Sequence, residues 1–268
     1  MEDILEKIVT TKRKKLLYYQ KHLSMSELTD LFLKRTQNGE NRFYQALNRN
    51  PGPNIIAEVK FASPSKGKLL ERFTLQELVH KYQEAGACAI SVVTEDIFFK
   101  GYPEMVQEVK KCSMLPVLQK DFVIEESQIY QAAKLGADAL LLIARILSPQ
   151  RLKKFVELCQ TLNIAPLVEV HDEKDIEKAL QTEATVVGIN NRNLATFEVS
   201  IKNTLRLYKY LPRGKTVVSE SGIASFQDVD SLLRQGVRNF LIGESLIKAE
   251  NPANKLLELK GGVKIGAH

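Results

Sequence analysis

The chain has 268 residues, 38 of them basic and 32 acidic, for a formal charge of +6. Apolar residues make up 44% and charged residues 26%, with 14 Gly and 9 Pro, which excludes a disordered chain, a collagen or a low-complexity array. No run of about 18 apolar residues is present, so no transmembrane helix is expected.

The N-terminus, Met1-Glu2-Asp3-Ile4, is acidic and then amphipathic, without the apolar core or cleavage site of a secretory signal. Ile4, Leu5, Ile8, Val9 and Leu16 recur at helical spacing. The basic run Lys12-Arg13-Lys14-Lys15 reads as the solvated face of that helix. Ser24 or Ser26 is positioned to cap a second short helix over Leu28–Leu31, and Phe43–Leu47 reads as a third. Asn48-Arg49-Asn50-Pro51-Gly52-Pro53 then breaks the chain.

After the break, eight short apolar runs follow: Ile55–Ala57, Ala89–Val93, Leu115–Leu118, Ala139–Ile143, Ala165–Val168, Val186–Ile189, Thr216–Val218 and Phe240–Ile242. They are near-continuous rather than alternating, as in strands buried on both faces. Amphipathic helical stretches stand between them, at Leu75–Ala85, Ser127–Leu135, Gln150–Leu162, Asp172–Leu180 and Ser225–Arg234. Gly86-Ala87, Gly136-Ala137 and Gly236-Val237 read as helix stops leading into the next strand. Strand–helix alternation specifies a parallel α/β fold, and eight strands close a (β/α)8 TIM barrel. A doubly wound open sheet is the alternative, but no Gly-x-Gly-x-x-Gly follows the first strand. The three cysteines, Cys88, Cys112 and Cys159, lack metal-ligand spacing and read as inert thiols, which fits a cytoplasmic protein without structural disulfides.

Polar residues gather at the strand ends: Glu58-Val59-Lys60, Thr94-Glu95, Lys120-Asp121, Glu169-Val170-His171, Asn190 to Asn193, Ser219 to Gly222, and Gly243-Glu244-Ser245. In a barrel these ends converge on one mouth, where such enzymes keep their active site. Glu58 and Lys60 are two residues apart and share a face, as do Asn190 and Arg192 if the strand continues. Ser221-Gly222 and Gly243-Glu244-Ser245 offer backbone N–H groups ahead of helices, which suits a phosphate. Ser63-Pro64-Ser65-Lys66-Gly67 reads as a polar flap. The acid–base candidates are Glu58, Lys60, Lys120, Glu169 and Glu220, suited to proton transfer on a phosphorylated small molecule. The four histidines, His22, His80, His171 and His268, are scattered, and His171 is assigned to a loop or cap.

These segments resemble the indole-3-glycerol phosphate synthase family. The resemblance runs through Ile56-Ala57-Glu58-Val59-Lys60 with Ser63 to Gly67, then Ser91 to Glu95, Leu118 to Phe122 and Leu167 to His171. It continues in Gly188 to Leu194, Ser219 to Ile223 and Leu241 to Glu244, with Ile4 to Val9 at the start. It implies ring closure of 1-(2-carboxyphenylamino)-1-deoxyribulose 5-phosphate to indole-3-glycerol phosphate, with loss of carbon dioxide and water, in tryptophan biosynthesis. It also implies one domain over 1–268, with a helical extension over 1–50 lying across the mouth and a barrel core over 54–250. No cofactor, metal, nucleic acid or membrane is implied, and a monomer is expected.

By that resemblance Lys120 is a general acid, Glu169 a general base and Lys60 a cation for the substrate carboxylate, with Glu58 orienting Lys60. Arg192 and Asn190 are expected to contact the carboxylate and ribulose hydroxyls, and Ser63 to assist. Ser221, Gly222, Gly243 and Glu244 are expected around the phosphate, with Glu220 beside them and Phe122 on the anthranilate ring. Two departures stand out: Phe61 where the family often carries a basic residue, with Lys66 and Lys68 nearby, and Arg145, read as solvated. A different phosphate-binding barrel, such as phosphoribosylanthranilate isomerase, is the alternative enzyme. It needs a Cys and Asp pair at strand ends, and no cysteine stands there. A nucleic-acid-binding protein using Lys12 to Lys15 lacks interleaved aromatics, and a catalytically dead scaffold has no reason to keep the four acid–base residues.

Overall fold

The computed structural model describes residues 4–18, 25–36, 39–64, 66–70, 72–193 and 198–262. The expectations placed on His22, Ser24, Ser65, Leu194 and His268 lie outside the described residues.

Eight strands form a closed parallel barrel in chain order. They are β1 (Asn54–Val59), β2 (Ala89–Val93), β3 (Val117–Lys120), β4 (Ala139–Ile143), β5 (Ala165–Val170), β6 (Val186–Asn190), β7 (Thr216–Glu220) and β8 (Asn239–Ile242). The barrel closes where Asn54 pairs with Asn239 and Ile56 with Leu241. Strand parity separates two cores. Ile55, Ala57 and Val59 pack outward on the helices, whereas Ile56 joins Leu118, Leu141, Leu167, Val218 and Leu241 in the interior. The interior is therefore a filled core up to the last inward residue of each strand.

The expected helices are present as α4 (Leu75–Glu84), α6 (Glu126–Leu135), α7 (Pro149–Thr161), α8 (Glu173–Leu180) and α10 (Phe226–Leu233). Local chemistry starts them. Thr74 and Glu77 form a reciprocal capping box, as do Ser225 and Asp228, and Ser148 caps α7 ahead of Pro149. Gly136 stops α6 at φ 85°, a conformation that a Cβ would strain. Further helices are α5 (Met105–Cys112), α9 (Lys202–Tyr208), α11 (Glu244–Lys248), which stands after β8 where a helix is expected, and α12 (Pro252–Leu259), with a 3-10 turn at Ala144–Ile146. A small antiparallel hairpin joins Ala62–Ser63 to Gly67–Lys68. All three cysteines are free, and burial pushes the Cys88 thiol up to about 12.

The N-terminal segment holds α1 (Ile4–Tyr18), α2 (Met25–Thr36) and α3 (Arg42–Asn48). Ser26 lies inside α2 rather than capping it, because the helix already begins at Met25. Helix α1 lies at the mouth of the barrel, with Leu5 facing its cavity. Helix α3 lies at the opposite end. Asn41 caps α3 and donates from Nδ2 to the Asp138 and Asn163 carbonyls, at 2.9 Å each. Arg35 donates to the carbonyls of Ala137, Leu162 and Asn163 beside it. The rings and chains so held are Phe43 and Leu47, fully buried against Ala89, Ala139, Ala165 and Val186. Small residues at the starts of three strands leave the space that the Phe43 ring fills.

Phe43→Ala empties this plug and is expected to cost about 3–5 kcal/mol in urea unfolding, with the far-ultraviolet spectrum of the folded chain unchanged.

Candidate active site

The C-terminal strand ends surround a cavity of about 660 Å³. Its floor is ionic. Lys120, the last residue of β3, places Nζ 3.1 Å from Glu169 Oε2 and 3.3 Å from Glu220 Oε2. Lys60, just past β1, places Nζ 2.6 Å from Glu58 Oε1. Asn190, at the end of β6, donates from Nδ2 to Glu169 Oε2 at 3.1 Å. The pairing follows from parity and register: Glu169 stands opposite Gly188, and Asn190 opposite Glu220. Two glycines make room for the carboxylates. A Cβ on Gly188 would stand 2.0 Å from Glu220 Oε1, and one on Gly243 would stand 2.4 Å from Glu58 Oε1.

Three buried glutamates thus face two lysines, and burying unequal charge is costly unless a proton balances it. Burial itself pushes the Glu220 carboxyl up, to about 8, with Lys120 opposing and Glu169 reinforcing the rise. Burial acts upward on Glu169 as well, but Lys120, His171 and the Asn190 hydrogen bond outweigh it and hold that carboxyl low. Burial alone would lower Lys120; the carboxylates of Glu169, Glu220 and Glu58 outweigh it and keep the ammonium protonated. The two carboxyls beside Lys120 are thus driven apart, Glu220 toward the neutral acid and Glu169 toward the carboxylate.

The walls are asymmetric. Leu5, Val93, Phe99, Phe122 and Ile143 line one flank, with the Phe99 and Phe122 rings 6.2 Å apart. On the other side stand Ser221, Gly222, Gly243, Glu244 and Ser245, with Lys66, Arg192 and Lys248 around them. The first N–H groups of α11 have no acceptor within the helix. Ser221 holds a left-handed φ of 67°, an unusual conformation that turns the chain sharply after β7. Glu244 pairs with Lys248 at 2.6 Å and with Arg192 at 3.6 Å, so its carboxylate is neutralised where an anion would approach.

The profile of the family described as indole-3-glycerol phosphate synthase matches residues 5–259. The chain is 40% identical to the indole-3-glycerol phosphate synthase of Lachnoclostridium phytofermentans over 267 residues, covering 96% of this chain and 98% of that one. It is 47% identical to the Endomicrobium trichonymphae protein of the same name over 218 residues, covering 81% and 84%. The chain belongs to the indole-3-glycerol phosphate synthase family. A solved 3-hexulose-6-phosphate synthase matches at a TM-score of 0.63 over 78% of this chain and 99% of that one, and at 17% identity it shows the barrel fold alone.

Of the residues that the family resemblance singled out, Glu58, Lys60, Lys120, Phe122, Glu169, Asn190, Arg192, Glu220, Ser221, Gly222, Gly243 and Glu244 all line the cavity. Ser63 does not. It lies in the hairpin after β1, where its carbonyl accepts from the Lys66 N–H at 3.3 Å, and Lys66 is the loop residue on the cavity wall. Phe61 turns away and stacks on Tyr102, so Lys66 is the flap cation on the wall of this family member. Glu95 accepts the N–H groups of Ile97, Phe98 and Phe99 and shapes the loop that carries Phe99. Arg145 is not simply solvated; it pairs with Asp172 and Asp175.

The basic run departs most from expectation. Arg13 and Lys14 are exposed, but Lys12 is 8% exposed and sits 2.7 Å from Asp121, the neighbour of Lys120. Lys15 pairs with Asp96. Asp121 is fixed in turn by Thr94 Oγ1 and by the Phe122 N–H. A buried ion pair thus straps α1 to the mouth. The helical period gave no sign of it, because Asp121 is 109 positions away and pairing at that range leaves no mark in a local pattern.

Lys12→Met leaves the Asp121 carboxylate without its cation, a loss of about 3–5 kcal/mol for a pair that stays buried. Release of α1 is the expected result: limited proteolysis cuts α1 faster, and KM rises more than kcat falls. Glu220 supplies a second prediction. The folded chain keeps its proton from the ordinary carboxylate value of 4.5 up to about 8, whereas the unfolded chain is ionised over that window. The folded state therefore binds more protons, and stability falls as pH rises through the window. Glu220→Gln cannot ionise, so its urea midpoint is expected to fall less than the parent's between about pH 5 and about pH 8.

Proposed function

We propose that this chain closes the ring of 1-(2-carboxyphenylamino)-1-deoxyribulose 5-phosphate to indole-3-glycerol phosphate, releasing carbon dioxide and water, a step of tryptophan biosynthesis. The observation that carries this reading is the Lys120 ammonium shared between Glu169 and Glu220 on the floor of a cavity with one apolar and one anion-suited end. The apolar flank suits the anthranilate ring. The β7 and β8 ends suit the phosphate, through the backbone of Ser221, Gly222, Gly243 and Glu244, and the ribulose chain then spans the acid–base floor.

Lys120 donates its proton to the ketone oxygen as the ring carbon bearing the carboxylate attacks the carbonyl carbon. A preorganised ammonium stabilises the charge that develops there. Loss of carbon dioxide returns the bonding electrons to the ring. The new hydroxyl then leaves as water with a proton from a lysine, and Glu169 takes the proton from the adjacent carbon as the double bond forms. Lys60, oriented by Glu58, holds the substrate carboxylate with Arg192, whose planar fork suits it. Asn190 orients Glu169 and reaches a ribulose hydroxyl. The cavity is completed by the chain's own α1, which supports a monomeric enzyme, and we place it in the cytoplasm. No cysteine is among the described residues that line the cavity, so the isomerase alternative gains no support.

The assay mixes the protein with the carboxyphenylamino-deoxyribulose phosphate and a chelator and follows indole fluorescence. A rise is expected, and a folded protein that gives none overturns the reading. Lys120→Met is expected to lower kcat by about 10²–10⁴-fold or more while leaving the fold intact. Turnover near the parent's removes Lys120 from the acid role.

A further inference from the structure

His171 follows β5 and is buried, with its ring between two carboxylates. Nε2 lies 3.4 Å from Glu169 Oε1, and Nδ1 lies 3.6 Å from Asp175 Oδ2. Neither ring nitrogen makes a hydrogen bond at these separations. A buried imidazole left in that state is costly and calls for an explanation. The neighbours supply one. Glu169 Oε2 is already held by Lys120 and Asn190 on the cavity side, so Oε1 is the oxygen that His171 faces. Asp175, on α8, accepts the His171 backbone N–H at Oδ2, at 3.0 Å, and the same oxygen pairs with Arg145 Nε at 3.4 Å. Asn203, on α9, donates to the carbonyls of His171 and Asn190 and locks both strand ends. The charged groups that face the ring, directly or through one partner, are therefore Glu169 with Lys120 behind it, and Asp175 with Arg145 and Asp172 behind it.

We propose that His171 is a positioning residue for Glu169: an Asp175–His171–Glu169 file in which the Nε2–H fixes Oε1 from behind and keeps the carboxylate ionised and aimed at the substrate. Serving both carboxylates takes a proton on each ring nitrogen, since a neutral imidazole has only one N–H. His171 is itself one of the causes that hold Glu169 low, and it also acts to lower Asp175. The contacts are a few tenths of an ångström long, as catalytic hydrogen bonds often are before substrate binds. The alternative, a ring that only fills space, gives no reason for the two nitrogens to face two carboxylates. The assignment rests on Glu169 being the general base of the proposed reaction, but the geometry of the file does not.

The test is His171→Gln, which keeps an N–H donor but not the imidazole, with Asp175→Asn as a second variant that removes the rear support. In substrate-free protein labelled at glutamate, the 13C shift of the Glu169 carboxyl is followed on acidification. Its movement is expected to begin at higher pH in both variants, by about one pH unit or more in His171→Gln. In turnover, kcat is expected to fall about tenfold or more, with KM nearly unchanged and the acid limb of the kcat profile displaced upward. Melting curves identify any variant that has lost its fold, and Asp175→Asn decides the matter if His171→Gln does not fold. An unchanged Glu169 titration in either folded variant overturns the proposal. Parent protein that fails to turn over the substrate would remove the functional reading while the titration still decides the role of His171.

Discussion

The mouth of this barrel depends on one constraint: a lysine at the end of β3 must stay charged among buried carboxylates. Lys120 meets it by standing between Glu169 and Glu220, and the two glutamates meet it by titrating apart. Two identical side chains thus hold different states, because one also receives Asn190 and faces His171 while the other has an oxygen with no partner. Pairs of groups whose environments push them apart are how one site keeps an acid and a base at the same pH. Gly188 and Gly243 belong to the same constraint. Gly188 within β6 and Gly243 just past β8 are positions where a side chain would occupy the space of a carboxylate, so the arrangement is written into the backbone as well as the charged residues.

The cavity inherits its asymmetry from strand parity. The inward positions nearest the mouth are Glu58, Val93, Lys120, Ile143, Glu169, Asn190, Glu220 and Gly243, in chain order. The two apolar members come from β2 and β4, on either side of β3, so Lys120 rises between two apolar walls while the remaining strands supply the polar arc. Hydrocarbon at the strand ends is therefore gathered on either side of Lys120, and the ionic and amide groups along the strands that follow around the barrel.

Much of this was legible in the sequence, and the reason is local. A strand buried on both faces is a continuous apolar run, and a charge at its end breaks the run conspicuously, so all eight strands and the floor residues could be read without contacts. Helices α5, α9 and α12 could not be bounded: at seven or eight residues they give the helical period about two turns, and the equally short α8 and α10 were legible with the help of their capping residues Asp172 and Ser225. The loop that carries Ser63 reads as one polar flap, and the hairpin between Ala62–Ser63 and Gly67–Lys68, which no local pattern announces, is what leaves Lys66 rather than Ser63 on the cavity wall. Lys12 was misread because its partner sets its place: a lysine in a basic run looks solvated until Asp121 arrives from the end of β3. His171 does stand in the loop between β5 and α8, as expected, and what the local pattern could not show is that the carboxylates of Glu169 and Asp175 both lie beside its ring.

The polar floor adds little to the core, so stability has to come from elsewhere. It is supplied by two separate shells. The outer one, between strands and helices, holds Val79, Tyr82, Phe155, Val156 and Phe240 among its fully or nearly fully buried members. The inner one is small, and it is closed from below by Phe43 and Leu47 rather than by a further layer of strand residues. The N-terminal segment therefore acts at both ends of one barrel: α3 fills the end where hydrocarbon stabilises, and α1 is strapped by a single buried ion pair at the end where charge is needed. A helix packed into the mouth as tightly as α3 is packed below would exclude substrate along with water. Ion pairs at the rim, the buried Lys12–Asp121 and the more exposed Lys15–Asp96, hold α1, leave the space beneath Leu5 open, and allow the same helix to serve as a wall of the cavity rather than as a plug.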